Sequence, residues 1–442
     1  MTVQTALTVE ERIRQLLRHL GIDQAHFACW LAQDWAGLVA KSPRVISSLT
    51  LIGGSFDPRA VEHLAAKLLM VTGDQGPRAE AVKDSMNRLP GAQLVRLGNF
   101  EIRAWSDVAA ERADELGAAM LDFLAHMTAS GPSGIRPLRE GEGEVAGVSY
   151  RIRGAGPPLV LLPMFLAPSQ WEPLLPRLSE RYCTITLGGA ALGAVAILES
   201  RGRTIGYLRM VKTLLEEAEL RQGETVLEVG CGSGVLGRWL AHRTSGAHRI
   251  TGVDINPYLL REARALARLD GLEGAIEFRD GNAESLPFAD NSFDVTMSVT
   301  VIEEVEADRL LAEMVRVTKP RGRVAVVARA IDMPRLSHLP LSADLKAKVE
   351  TPMGTKEVKG CADASLYRRM HQARLTQVKM LPQLAIFDRS EPTILDFMQN
   401  DILPKLTAEE AREWQTARAQ AEAEGTFFMT WPHHCAVGTK PL

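Results

Sequence analysis

The chain has 442 residues, with 51 basic against 54 acidic side chains and a net charge of −3, which argues against the basic face of a general nucleic-acid binder. A hydrophobic content of 46% and a mean hydropathy of −0.04 fit a globular chain long enough for two or three domains. No apolar run is long enough to span a bilayer, and the N-terminus lacks the apolar segment of a secretory signal.

Thr8 followed by Glu11 is a capping-box pattern, and Ile13, Leu16, Leu17 and Leu20 repeat at helical spacing as far as Gly21. Strands are predicted over residues 26–29, 45–53, 67–73 and 93–97, with a helix over 108–126. Alternation at this spacing indicates a parallel α/β layer. Residues 130–143, rich in glycine, proline and charge, are predicted to be a linker. Beyond them come strands over 147–153, 159–162 and 182–187 and a helix over 171–178. The five cysteines (Cys29, Cys183, Cys231, Cys361 and Cys435) form no close pair. That speaks against a zinc site or a disulfide framework and for a cytoplasmic location.

Residues 10–126 resemble the second half of an α/β-hydrolase, and residues 147–188 its first half. The resemblance rests on LGIDQAHF, SLTLIGG, LLMVTGDQGP and LPGAQLVRL in the first block, and on GVSYRIRGAGPPLVLLP and LLPRLSERYCTITL in the second. The order implies a circular permutation joined through the linker. Hydrolase chemistry needs a strained Gly-x-Ser-x-Gly turn. The matching stretch is Ala28-Cys29-Trp30-Leu31-Ala32, with Leu31 in the serine's place. Gly76 stands where an acid should follow, and residues 99–105 hold no histidine. Acyl transfer has no mechanism without these groups. The block is therefore expected to be a degenerate scaffold: a substrate cover, a dimer surface or a partner dock. Cys29 is expected to be a buried structural residue, with a displaced nucleophile as the alternative.

The second half is organised around Glu224 to Gly234. Val226, Leu227 and Val229 form a strand that ends in Gly230, Gly232 and Gly234, and a helical pattern starts at Val235. Such a turn admits a ligand to bare backbone, and the helix behind it points unpaired N–H groups outward. A second apolar run, 250–253, ends at Asp254, and a third, 275–278, ends in Asp280-Gly281-Asn282. Three strand tips thus form one polar rim, where open α/β sheets bind ligands. A helix over 204–220 precedes the turn, with Leu208, Val211, Leu214 and Leu215 on one face. Asn256-Pro257 caps a helix over 258–269. Strands follow over 292–297 and 322–328, with a helix over 307–315 between them. Residues 332–361 break the pattern and are predicted to be a substrate lid. The remaining elements are a helix over 364–374, a strand over 378–386, a charged, solvent-facing helix over 408–424, and a last strand over 426–439 that Pro432 should bulge or break.

These residues resemble the class I S-adenosylmethionine-dependent methyltransferases. The matching pieces are Glu228-x-Gly230-x-Gly232-x-Gly234, Asp254, Asp280-Gly281-Asn282-Ala283, Leu286-Pro287-Phe288 leading to Ser292-Phe293-Asp294, and Arg316-Val317-Thr318-Lys319-Pro320 before Gly322. The resemblance covers residues 200–440. It implies a seven-stranded Rossmann-like sheet with helices on both faces, over residues 191–442, behind a hydrolase-like domain over 1–190. Two departures are visible: Arg321 replaces the first of two glycines, and Glu303-Glu304 stand where the family often carries a histidine.

The resemblance implies S-adenosyl-L-methionine as cofactor, without a metal. Gly230, Gly232, Gly234 and Cys231 would line its methionyl part, with Tyr207 and Arg201 at the carboxylate. Asp254 would accept from the ribose hydroxyls, with Ile255 beside it. Asp280, Gly281, Asn282 and Ala283 would meet the adenine. Glu228 would order the turn, and Ser298 would be a further cofactor-binding residue. Glu303, Glu304, His433 and His434 are the candidates for a general base; adjacent strand residues face opposite ways, so at most one histidine should point inward. Phe427, Phe428, Met429 and Trp431 suggest a small apolar or aromatic acceptor. Partners are expected to be that small molecule and, through the first block, a second copy of the chain. Two rivals remain. A nicotinamide oxidoreductase would want Gly-x-Gly-x-x-Gly, but the third position here is Val235. A cofactor-binding scaffold without turnover would look the same in sequence.

Overall fold

The computed structural model describes residues 7–30, 38–39, 42–53, 58–102, 107–129, 138–164, 166–351, 359–388, 395, 398–399, 402–403 and 406–442. It divides into two compact units, Met1–Ala196 and Ile197–Leu442. Among the described residues, no helix is long and apolar enough to cross a membrane.

In the first unit, α1 (Val9–Leu20) starts at the reciprocal Thr8–Glu11 cap and ends at Gly21, whose φ of 68° needs no side chain to be accommodated. The strands are β1 (Ala25–Trp30), β2 (Ile46–Ile52), β3 (Leu68–Gln75), β4 (Gln93–Glu101), β5 (Gly141–Val145), β6 (Val148–Arg153), β7 (Pro158–Leu161) and β8 (Cys183–Gly188). They form one sheet in the order β4-β3-β2-β1-β7-β8-β6-β5. Among the described residues, β6 alone runs against the others, antiparallel to both β5 and β8. α2 (Gly76–Met86) and α3 (Ala113–Ala129) complete the layer. Separate apolar clusters form around Leu16, Leu51 and Ile185 and around Leu69, Phe123 and Trp171.

Three expectations for this unit are corrected. The linker over 130–143 gives up its end to β5, because Ala146 and Gly147 make a two-residue turn with φ of 53° and 75° that returns the chain as β6; residues 130–137 lie outside the described residues. The helix over 108–126 breaks at Arg112, whose side chain donates to Gly98 O and Asn99 O. The helix over 171–178 shrinks to a 3₁₀ turn, Pro168–Trp171, and a single turn, Leu175–Leu178. Pro173 and Pro176 lack the N–H groups a longer helix would use.

The second unit begins within α4 (Gly193–Arg203), followed by α5 (Ile205–Glu217). Then come β9 (Thr225–Val229), α6 (Val235–Arg243), β10 (Arg249–Asp254), α7 (Pro257–Leu269), β11 (Ile276–Asp280), β12 (Phe293–Val299), α8 (Ala307–Val317) and β13 (Thr318–Arg329). The chain closes with α9 (Ala343–Glu350), α10 (Ser365–Gln372), β14 (Thr376–Met380), β15 (Gln383–Asp388), α11 (Ala408–Glu424) and β16 (Phe428–Thr439). The sheet order is β11-β10-β9-β12-β13-β16-β14, with β15 also on β16. All pairs from β11 to β13 are parallel, and β16 is antiparallel to β13. The strand order reverses between β9 and β12, which opens a crevice above their C-terminal ends.

Among the described residues, the expected seven strands are eight in seven places. The predicted strand over 378–386 is cut at Leu381-Pro382 into β14 and β15, both paired with β16. Pro382 has no N–H for the ladder. Pro432, by contrast, neither bulges nor breaks β16: it pairs with Leu384, and its carbonyl accepts from Ala330 N at 3.0 Å. Helix α11 is not solvent-facing all round, since Trp414 is fully buried and Ala417 and Ala421 are buried beside it. The stretch over 332–361 holds α9, which buries Leu345 and Val349; residues 352–358 lie outside the described residues.

Candidate functional site

Above the crevice, Gly230, Gly232 and Gly234 take φ of 73°, 55° and 73°. The turn is pinned to the next strand, because Gly230 N and Cys231 N both donate to Val253 O, at 2.7 and 3.0 Å. A Cβ on Gly234 would lie 2.6 Å from the Phe278 ring, so sterics and backbone conformation both demand glycine there. Cys231 is buried, and its sulfur sits where a side chain on Gly252 would go. Burial pushes its thiol well up, which suits a packing residue rather than a thiolate.

Asp254 ends β10 beside this turn. Its Oδ2 accepts from Gly232 N at 2.8 Å, and its Oδ1 accepts from Asn256 N at 2.9 Å. Burial raises its pKa, with those N–H groups working against the rise. Ile255, next in line, is 66% exposed, an unusual exposure for an aliphatic side chain at a polar rim. Asp280 is exposed at the end of β11, and Gly281 N donates to Asp254 O at 3.0 Å, tying the two tips together. Asn282 turns its Oδ1 back to Glu284 N, and Ala283 is half-buried. Glu228 lies beneath the turn, fully buried, and accepts from Gly237 N at 3.0 Å in the first turn of α6. Burial pushes its carboxyl up to about 8.

Arg201 and Tyr207 come together on the other side of the crevice. The guanidinium lies 5.6 Å from the ring centroid, and Arg201 Nη1 donates to Thr300 Oγ1 at 3.1 Å. Thr300 is a β-branched residue at φ 56°, a costly conformation that concentrates at functional sites. It was not foreseen from the sequence; the signal available was a hydroxyl immediately past a strand end. Ser298, two residues earlier on β12, is fully buried, and its Oγ has no hydrogen-bond partner.

The two adjacent glutamates part company. Glu303 is buried; its Oε1 accepts from Arg329 N and from Arg329 Nε, while its Oε2 is buried without a hydrogen-bond partner. Burial raises its pKa, opposed by Arg329. Glu304 is half exposed and accepts from Arg329 Nη2 at 2.6 Å. Arg329, the last residue of β13, also went unremarked in the sequence. The histidines face opposite sides of β16. His433 donates from Nδ1 to Trp431 O at 2.9 Å and stands edge-on to Tyr207 at 6.0 Å. Burial takes its pKa down to about 3, so the ring is neutral. His434 lies between Asp332 Oδ1, 2.7 Å from Nε2, and Tyr367 Oη, 3.0 Å from Nδ1. It therefore packs on the α10 side, away from Tyr207. Phe387 and Trp431 extend the ring cluster around Tyr207 and His433.

The residues expected of a hydrolase in the first unit do not assemble. Leu31 and Ala32 lie outside the described residues. Cys29 is buried within β1, and burial raises its thiol pKa. Asp74 uses both oxygens on Asn99 N and Phe100 N.

A family profile described as a methyltransferase domain matches residues 227–326. Among curated proteins, the methyltransferase GfsG of Streptomyces halstedii is 36% identical over 119 residues, 27% of this chain and 42% of that protein. The ubiquinone/menaquinone biosynthesis C-methyltransferase UbiE of Hahella chejuensis is 30% identical over 201 residues, 41% of this chain and 75% of that protein. The chain spans about half the length of the first curated relatives it matches, 42% for GfsG and 56% for a Klebsiella pneumoniae UbiE. Among solved structures, YcgJ from Bacillus is similar with a TM-score of 0.37 and 19% identity over 53% of this chain and 99% of its own. Geranyl diphosphate C-methyltransferase from Streptomyces coelicolor A3(2) gives 0.35 and 14%, over 53% and 76%.

Proposed function

We propose that this chain, which belongs to the class I S-adenosylmethionine-dependent methyltransferases, transfers a methyl group to a small apolar or aromatic molecule held above the β9–β12 crevice. The observation that carries the reading is Asp254 Oδ2 held by Gly232 N within the glycine turn, with α4, the helix that carries Arg201, packed on the same turn through Leu198 and Gly202. The residues fit the cofactor: a backbone turn without side chains, a carboxylate at the next strand tip, an exposed aliphatic beside it and a cation opposite. When bound, the cofactor supplies a methyl group already activated on a sulfonium, so the protein's contribution is positioning and exclusion of water.

Asp254 accepts from the ribose hydroxyls, and Ile255 covers one face of the adenine, whose edge meets Asp280 and the backbone near Asn282 and Ala283. Arg201, steered by Thr300 and Tyr207, pairs with the methionyl carboxylate. Glu303 takes the acceptor's proton where one must leave. The support is its unpartnered Oε2 and a pKa raised by burial, both suited to a group that accepts a proton. Neutral His433 shapes the ring-lined wall with Tyr207, Phe387 and Trp431. That wall supports an apolar or aromatic acceptor, as does the relationship to C-methyltransferases named for quinone biosynthesis.

We infer also that the first unit is a permuted, degenerate α/β-hydrolase-like domain that acts as a scaffold. Counting strands from β5 gives the order 1-2-4-3-5-6-7-8 across its sheet. A sheet so nearly sequential from that starting point supports a chain cut and rejoined through residues 130–140. Calorimetry with S-adenosylmethionine, followed by a screen of candidate acceptors with labelled methyl donor, tests the activity. Failure of the full chain to bind the cofactor at saturating concentration would end the reading.

A further inference from the structure

A buried ion pair fastens α4 to the cofactor turn. Both oxygens of Glu199 accept from Arg238 Nη2, at 2.6 and 2.5 Å, and the two side chains are each only 8% exposed. Glu199 Oε1 also accepts from Ser233 Oγ at 2.6 Å, and Ser233 stands between Gly232 and Gly234. Arg238, on α6, is anchored from behind by Asp270 Oδ2 at 2.5 Å. Desolvation makes a buried pair a poor source of net stability. Its worth lies in what it fixes in place.

What it fixes is the face of α4 that meets the turn. Leu198 lies against Gly232, with its Cδ1 3.0 Å from where a Cβ there would stand. Gly202 packs so close to Val235 that a side chain on it would collide with the valine. Arg201 reaches across to Thr300. The residues one before, two after and three after Glu199 therefore touch the turn, the strand tip beyond it or the start of α6. No local pattern of residues points to this contact, because Glu199 and Arg238 are 39 residues apart on two helices.

We infer that Glu199 is a positioning residue for cofactor binding. Through Ser233 and Arg238 it holds Leu198 and Gly202 against the glycine turn and the start of α6, and Arg201 at Thr300, so cofactor affinity depends on a carboxylate that does not touch the cofactor. The inference rests on the S-adenosylmethionine reading of the site.

The test uses the full chain with Glu199→Gln and, separately, Ser233→Ala, which removes one hydrogen bond and leaves the ion pair. Calorimetry gives the S-adenosylmethionine Kd, and amide exchange without ligand reports residues 193–203. Glu199→Gln should raise Kd, and KM for the cofactor, about ten- to a hundredfold. Ser233→Ala should raise them roughly three- to tenfold. Turnover at saturating cofactor should stay within about threefold of wild type, and exchange should quicken in 193–203 before it does in α7 or β9. A folded variant with the wild-type Kd would overturn the inference, as would exchange that quickens evenly across 197–442. If Glu199→Gln does not fold, Ser233→Ala decides alone. Loss of binding in the wild type would instead sink the reading of the site itself.

Discussion

Glu228 makes the second unit's stability depend on pH in a direction opposite to that of most carboxylates. The side chain is fully buried, and desolvation lifts its pKa from 4.5 to about 8, against the pull of the Gly237 N–H. A folded-state pKa above the unfolded one means that the folded state holds its proton longer. The contribution is fully present below the unfolded value and is lost as pH rises through 4.5 towards 8. Each pH unit within that window costs about 1.4 kcal/mol. From about pH 5 to about pH 8 the group alone should remove roughly 3–4 kcal/mol. Glu228→Gln keeps a carbonyl oxygen for Gly237 N and cannot ionise, so it should lose none of this. The assay is urea unfolding of both proteins at the two pH values, following the transition that added S-adenosylmethionine moves, since that one belongs to the second unit. Parallel pH dependences for wild type and variant would show that the carboxyl is ionised without penalty, and the burial argument would fail.

Four other outcomes follow from the same geometry. Asp254→Ala should weaken S-adenosylmethionine binding by about 1–3 kcal/mol through lost hydrogen bonds to a charged group, measured by calorimetry; an unchanged Kd would remove its ribose role. Gly234→Ala forces a side chain into φ 73° and against Phe278. It should cost roughly 1–3 kcal/mol or more, read as a fall in the urea midpoint. Asp294 is partly buried, yet Lys319 Nζ and Thr225 N and Oγ1 hold its carboxyl down to about 2. Its stabilisation is present above the ordinary value of 3.8 and lost as pH falls towards 2. Asp294→Asn should therefore cost about 1–2 kcal/mol near neutral pH and almost nothing at the acid end. Trp414→Ala should cost about 3–5 kcal/mol, because the indole is fully enclosed; a smaller loss would restore the solvent-facing helix expected from the sequence.

Legibility followed the range of the interaction that fixes each element. The glycine turn, the Asn256 cap and the Thr8 capping box are made by residues a few places apart, and the structure has each of them as a local pattern requires. Errors began where a distant partner decides. Gly141 and Gly143 look like linker until Tyr150 and Ile152 pair with them. The alternating charges of α11 conceal one tryptophan that a distant cluster around Phe387 and Trp431 buries. Pro432 should have broken a strand, but a proline costs only the bond its own N–H would have made, and β13, β14 and β15 supply the others.

The site repeats the contrast within a few ångströms. The residues expected to meet the cofactor's nucleoside lie on consecutive strand tips of one parallel sheet, so order along the chain becomes order along the rim. The opposite wall has no such rule. Arg201 gains its direction from Thr300, 99 residues away, and Glu303 its burial from Arg329, 26 residues away. A pattern of residue types cannot encode those pairings, because Arg201, Glu303 and Arg329 would each read equally well as a solvated charge. Glu304 shows how close the alternatives are. It differs from Glu303 by one position and pairs with the same arginine, yet it is half exposed while its neighbour is buried. Only the neighbour has the desolvated carboxylate that proton transfer to or from an acceptor would require.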